Sequence, residues 1–305
     1  SKIIKDLVTK FPNIEHITLD TVPSSYAVAS FKDAFGFEGL VDYDFSKSDF
    51  IVSVDADFLG DWQGGGYDTK YVSNRVPDRK TGKGRMSKHV QFEANMTLTG
   101  ANADIRVPAT PTEQKRILSY IYSEVKGLNS KIKLSPEQKE NAKFAAEGIK
   151  KFGSKAVIVS GLDDKNVQDL ILDLNNHIRS LAIENSARLT RTQSGNEVEV
   201  FIKELLDGKI SGLITVGLNP VYSLSEGEKI KKAISDLDFS LSFSMKEDET
   251  SSVCKYIAAA PHYLESWGDY EFKEGQYFLA QPTIRPLFNT MQFQDFVLSI
   301  IGSRR

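Results

Sequence analysis

The chain has 305 residues, with 38 Lys and Arg against 41 Asp and Glu and 40% hydrophobic residues, an ordinary globular balance without the basic excess selected by nucleic acid or an anionic membrane surface. Its length accommodates two domains of ~100 to 200 residues each. No uninterrupted apolar run nears the ~18 residues of a membrane span, and the lone Cys254 excludes an internal disulfide, a cysteine-ligated iron-sulfur cluster and a multi-cysteine zinc site within this chain.

The opening SKIIKDLVTK has the spacing of an amphipathic helix and lacks a signal-peptide pattern. Beginning at Ser1 rather than Met, the chain is expected to be a processed protein or an excised piece. NIEHITL (13–19) predicts a strand, and DFIVSVDADFL (49–59) a stronger one, its continuous apolar run suiting a strand covered on both faces. HVQFEAN (89–95) and DIRVPA (104–109) predict two more strands, followed by a helix from Thr112 to Lys126. Ser135-Pro136-Glu137 starts another helix, with Ser as cap and Pro in the first turn, and it runs to Phe152.

KAVIVSG (155–161) predicts a strand, 163–181 and 197–209 helices, GLITVGLNP (212–220) a strand and sharp turn, 226–237 a helix and 238–245 a strand. This alternation predicts an α/β fold with a largely parallel sheet and helices on both faces. The polar, turn-rich stretch 127–136 is the expected boundary. Two irregular stretches, 60–85 and 246–290, are too long for simple connections and are expected to be functional or interface segments.

Neither a G-x-G-x-x-G fingerprint nor a phosphate loop of the form G-x-x-x-x-G-K-[ST] is present. Gly64-Gly65-Gly66 reads better as a loop than as a phosphate cradle. Asp55, Asp57 and Asp61 lack the calcium-loop spacing, so turn and cap duty outweighs cation binding. His262, near Glu265 and Asp269, has the neighbours of a general base but no accompanying nucleophile motif, and a packed, hydrogen-bonded role suits it better. Cys254 beside Lys255 offers either a lowered thiol pKa or, as the better reading, a small buried apolar residue. Gly217 tolerates positive φ and Pro220 pushes Asn219 out of the helical region. Their turn therefore falls at the carboxyl end of a strand, where α/β sheets bind ligands.

Five stretches, in order along the chain, carry a resemblance: VSVDADFLGDW (52–62), LTGANADIRVPATPTE (98–113), GLITVGLNPVYSL (212–224), SFSMKEDETSSVCKYIAAAPHYLESWGD (242–269) and QPTIRPLFNT (281–290). Together they resemble the molybdopterin oxidoreductases, and within them the molybdopterin-oxidoreductase-like portion of the iron-sulfur subunit of alternative complex III, a quinol:cytochrome c oxidoreductase. The resemblance implies two Rossmann-like lobes, 1–130 and 131–305, without the iron-sulfur and cap domains of active relatives. It also implies a cleft for a bis-pterin guanine dinucleotide, with Asp55, Asp57, Trp62, Gly217, Asn219, Glu249 and Thr250 as vestigial cofactor-binding candidates.

Departures from the family pattern point away from catalysis. Active relatives carry Ala-Asp-x-Val-Leu-Pro after the Glu-Thr pair, where this chain has Cys254-Lys255-Tyr256-Ile257-Ala258-Ala259. They also carry a Gly between the Pro and Thr that here are the adjacent Pro111 and Thr112. The resemblance therefore implies a cofactor-free structural and docking domain without catalytic or metal-binding residues. It would be periplasmic and held at the membrane by the other subunits of an electron-transfer complex, with iron-sulfur clusters in domains outside this chain. The alternatives are a molybdopterin guanine dinucleotide-binding fragment of an active enzyme and an unrelated two-lobed small-molecule binder.

Overall fold

The computed structural model describes residues 2–20, 24–77, 81–82, 84, 86–190 and 197–302. In chain order the elements are α1 (Lys2–Lys10), α2 (Ser25–Phe35), β1 (Phe50–Val54), α3 (Asp68–Ser73), β2 (Lys88–Glu93), α4 (Leu98–Ala101), β3 (Ile105–Pro108), α5 (Pro111–Lys126), α6 (Pro136–Phe152), β4 (Ala156–Ser160) and α7 (Lys165–His177). They continue with α8 (Glu197–Leu206), β5 (Gly212–Val216), α9 (Pro220–Ser223), α10 (Gly227–Asp236), β6 (Phe239–Ser244), β7 (Tyr256–Ala259), β8 (Gly268–Lys273), β9 (Gln276–Ala280) and α11 (Phe293–Ile301).

Contacts divide the chain into a central unit, Ser24–Thr190, and a terminal unit formed by Ser1–Pro23 with Arg191–Arg305. The division differs from the expected boundary at 130, because β4, well past that point, pairs in parallel register with β1 from Phe50↔Ala156 to Val54↔Ser160. The turn-rich stretch 127–136 is instead a loop between α5 and α6, closed by Gly127 at one end and the Ser135 capping box at the other.

In the central unit the strands run β3-β2-β1-β4, all parallel. Every residue of β1 and β4 is buried, as expected where helices cover both faces of a parallel sheet. Phe50, Val52 and Val54 pack with Ile117 and Ile121 of α5, Ala145 and Ile149 of α6 and Ile171 of α7. Ile51 faces the other way, into a cluster with Phe31 of α2, Tyr71 of α3, Phe58 and Tyr67. The order reverses direction between β1 and β4. Gly161 sits at that switch point, where a Cβ would lie 2.1 Å from the Asp55 carbonyl oxygen; only glycine permits this approach of the two strand exits.

The terminal unit has a three-stranded parallel sheet, β5-β6-β7, and a separate antiparallel hairpin, β8-β9. Leu205 of α8 and Ile230 and Ile234 of α10 cover one face of the parallel sheet at Leu213. Phe293 and Phe296 of α11 pack on Phe243 from the other. The ammonium of Lys10, at the end of α1, donates to the carbonyls of Ile300 and Ile301 at 3.1 and 3.0 Å, satisfying the carboxyl end of α11.

The predicted strand at 13–19 does not form. The segment is irregular and Ile14 is exposed, because an alternating run becomes a strand only where a ladder accepts its backbone. The expected irregular stretch 246–290 holds β7 and the β8-β9 hairpin, and 60–85 holds α3, although Asp78, Arg79, Lys80, Lys83 and Arg85 lie outside the described residues.

Candidate functional site

Two groups of the predicted residues lie at carboxyl ends of parallel strands, one group in each unit. In the terminal unit β5 is followed by Gly217, whose φ of 63° is a left-handed value and whose N–H donates to the Phe243 carbonyl at 2.9 Å. Pro220 then opens α9. The Asn219 amide is used at both ends: its Nδ2 donates to Glu249 at 2.7 Å and its Oδ1 accepts the Thr250 hydroxyl at 2.8 Å. The Thr250 oxygen accepts in turn from Val221 N–H at 3.1 Å. The loop after β6 is locked by Asp248. Its burial disfavours the charge, but hydrogen bonds from Ser251, Ser244 and Thr250 prevail and hold the carboxyl below its usual range. The Asn219 amide likewise holds exposed Glu249 below the ordinary glutamate value.

The structure thus joins Asn219, Glu249 and Thr250, with Gly217 two residues before them. Their polar atoms are largely spent on one another. What remains at the surface is a carboxylate acceptor, which suits a hydroxyl or amino donor and repels a phosphate.

In the central unit Asp55 follows β1 in a left-handed conformation, φ 61°. Its N–H donates to the Phe92 carbonyl at 2.8 Å, and its carboxylate accepts from Gln114 at 3.2 Å. Burial raises the Asp55 pKa, and the charge of Glu93 adds to that rise. Asp57 accepts from the Thr99 N–H at 3.0 Å and hydroxyl at 2.7 Å, tying the loop to the start of α4; this is cap duty, as the spacing predicts. Trp62 packs against Tyr43 and Tyr67, with ring centroids 5.7 and 5.4 Å apart, so its indole belongs to the aromatic core.

Three further readings resolve. The Gly64 to Gly66 loop turns carbonyls inward: Arg188 donates to the oxygens of Gln63 and Gly65 at 2.9 and 2.8 Å. The loop therefore wraps a cation, the opposite of a phosphate cradle. His262 accepts from Leu264 N–H through Nδ1 at 3.3 Å, and its backbone N–H donates to the Glu265 carboxylate at 3.2 Å, making it the cap of a short helical turn. The Lys255 ammonium points to the Asp238 carbonyl at 3.0 Å, and burial pushes the half-buried Cys254 thiol up, so it is not an activated thiol.

One polar network escapes the sequence reading. His89, Gln91 and Glu93 alternate along β2, a pattern that suggests a solvent-facing side, yet all three are fully buried. Tyr71, His89, Gln91 and Glu93 form a chain of contacts at 3.1, 3.2 and 3.2 Å, ending at Arg106, whose Nε lies 2.5 Å from Glu93. Burial lowers the His89 pKa to about 4, against the opposing hydrogen bond to Gln91. The available signal is the composition of β2 itself: three polar residues with hydrogen-bonding side chains alternating with Val90 and Phe92 in one short strand.

The chain is similar to acetylene hydratase from Pelobacter acetylenicus, with a TM-score of 0.63 and 12% identity over 92% of this chain and 51% of that one. It is also similar to a chain of the formyltransferase/hydrolase complex (FhcABCD) from Methylorubrum extorquens in complex with methylofuran, with a TM-score of 0.59 and 12% identity over 98% and 87% of the two chains. These likenesses are of fold.

In sequence, 88 residues, 28% of this chain, are 32% identical to the molybdopterin-binding-like subunit of menaquinone reductase from Nitratidesulfovibrio vulgaris. That match spans 13% of the subunit, and the chain spans about half of the hydratase. No protein-family model matches the sequence. The subunit match supports the molybdopterin likeness at its coarser level.

A molybdopterin dinucleotide carries phosphates and a metal. The loop clusters described above offer carboxylates, and among the described residues no group of three or more His, Cys, Asp or Glu is placed to hold a metal ion. The Glu249 carboxylate suits the hydroxyl and amino donors of such a nucleotide and repels its phosphates, so the cluster matches one part of the group and not another.

Proposed function

We propose that this chain is a non-catalytic, cofactor-free molybdopterin-oxidoreductase-like domain, serving as a structural and docking element of a quinol:cytochrome c oxidoreductase of the alternative complex III type. The observation that carries the reading is the mutual satisfaction of Asn219, Glu249 and Thr250, which leaves an exposed carboxylate, repulsive to phosphate, at this strand end. The menaquinone reductase subunit similar to part of this chain supports the quinone side of the proposal. Among the described residues no helix is long and apolar enough to cross a membrane. In this reading the chain is periplasmic and reaches the membrane through partner subunits, with electrons passing through iron-sulfur clusters and haems held elsewhere in the complex.

Metal analysis by plasma mass spectrometry, paired with pterin fluorescence after acid oxidation, tests the proposal on the full-length protein from its native host. The expected outcome is no stoichiometric molybdenum, tungsten or pterin. Near-stoichiometric metal with pterin overturns it in favour of a cofactor-binding fragment of an active enzyme.

A further inference from the structure

β9 is an edge strand without the usual protection. Natural edges carry Lys, Pro or a bulge that blocks pairing, whereas β9 reads QYFLA, with neither charge nor proline, and the hairpin's register irregularity lies on β8, between Glu271 and Lys273. Its side chains are exposed on both faces, Tyr277 at 71%, Phe278 at 51% and Leu279 at 78%. Among the described residues its backbone hydrogen-bonds to β8 alone, so its outer N–H and C=O groups are open. The partner strand β8 is guarded by Asp269, Glu271 and Lys273. Tyr270, Phe272 and Phe278 form a ring row on one face, each neighbouring pair 5.7 Å apart. A two-stranded ribbon of this kind is marginal in water and gains most from a third strand.

Charge selects the occupant. Between Gly268 and Ala280 the hairpin holds Asp269, Glu271 and Glu274 against Lys273 alone. A second copy would add the same acidic surplus to one small sheet, whereas a strand bearing Lys or Arg would offset it. We propose that β9 accepts an extended, alternately apolar segment of another polypeptide, carrying lysine or arginine, as a third strand of this hairpin. Backbone hydrogen bonds supply the affinity, and the exposed rings with the acidic flank select the side chains. The proposal rests on the docking reading above and names the partner's chemistry.

The test is amide hydrogen exchange followed by mass spectrometry on the full chain, with a capped synthetic peptide of about eight residues alternating valine and lysine. A twin with glutamate for lysine serves as control. The lysine peptide is expected to slow exchange across 276–280 by at least about tenfold while the glutamate twin does not. A Tyr277→Lys/Leu279→Lys double variant is expected to lose the effect while keeping its thermal transition. Absence of slowing with the lysine peptide, equal slowing by both peptides, or a chain that dimerises through β9 unaided each overturns the proposal. Pterin and metal contents are read independently, so failure of this edge is distinguishable from failure of the docking reading.

Discussion

The two parallel sheets share one architecture and differ in cover. In the central unit both faces of β1 and β4 are closed by helices and every residue of either strand is buried. In the terminal unit β5 buries only Thr215 among its five residues, and Ile214, Val216 and Phe239 remain 37 to 40% exposed on the face that α11 covers in part. Parallel sheets are stable when both faces are buried. The comparison teaches that the central sheet is closed by its own helices, whereas the terminal sheet leaves apolar side chains partly exposed.

The two tryptophans report the units separately, Trp62 from the central and Trp267 from the terminal one. The largest expected effect is Phe50→Ala, which empties a fully buried site against α6 and should cost the Trp62-reported transition about 3 to 5 kcal/mol in denaturant titrations. A loss near that of an exposed residue would show the central core to be as open as the terminal sheet. Arg106→Met should cost the same transition about 3 kcal/mol, since it removes the cation paired with the buried Glu93 carboxylate.

Next comes pH. With the folded His89 pKa depressed to about 4 from 6.5, the unfolded state binds the proton first as pH falls. The contribution is intact above about pH 6.5 and is lost progressively down to about pH 4, by up to roughly 3 kcal/mol. A His89→Asn variant should flatten that part of the stability–pH curve, and an unchanged slope would assign it to other groups. Thr250→Val should cost about 1 to 2 kcal/mol in the Trp267-reported transition, by leaving Val221 N–H without an acceptor. Smallest of all, Phe239→Ser should change that transition by under about 1 kcal/mol, because the ring is already partly in water.

The sequence by itself determined the elements whose signals are local. The run FIVSV marks a strand because four of its five positions are apolar and β-branched or aromatic. Ser135-Pro136 marks a helix start because capping needs only neighbours within one turn, and α5 begins at Pro111, one residue before the predicted Thr112. Gly217 and Pro220 mark the turn that holds Asn219, since their backbone limits are intrinsic. Tertiary structure decided the rest. NIEHITL has the alternation of a strand but no ladder to join, and the stretch at 127–136 has the composition of a linker yet lies inside a unit, because β4 returns to pair with β1. Burial of His89, Gln91 and Glu93 depended on Tyr71, Thr97 and Arg106 arriving from other elements with matching hydrogen bonds. Local signals come from the geometry of one turn of chain; pairing, burial and charge compensation come from groups distant in sequence, and only the fold brings those together.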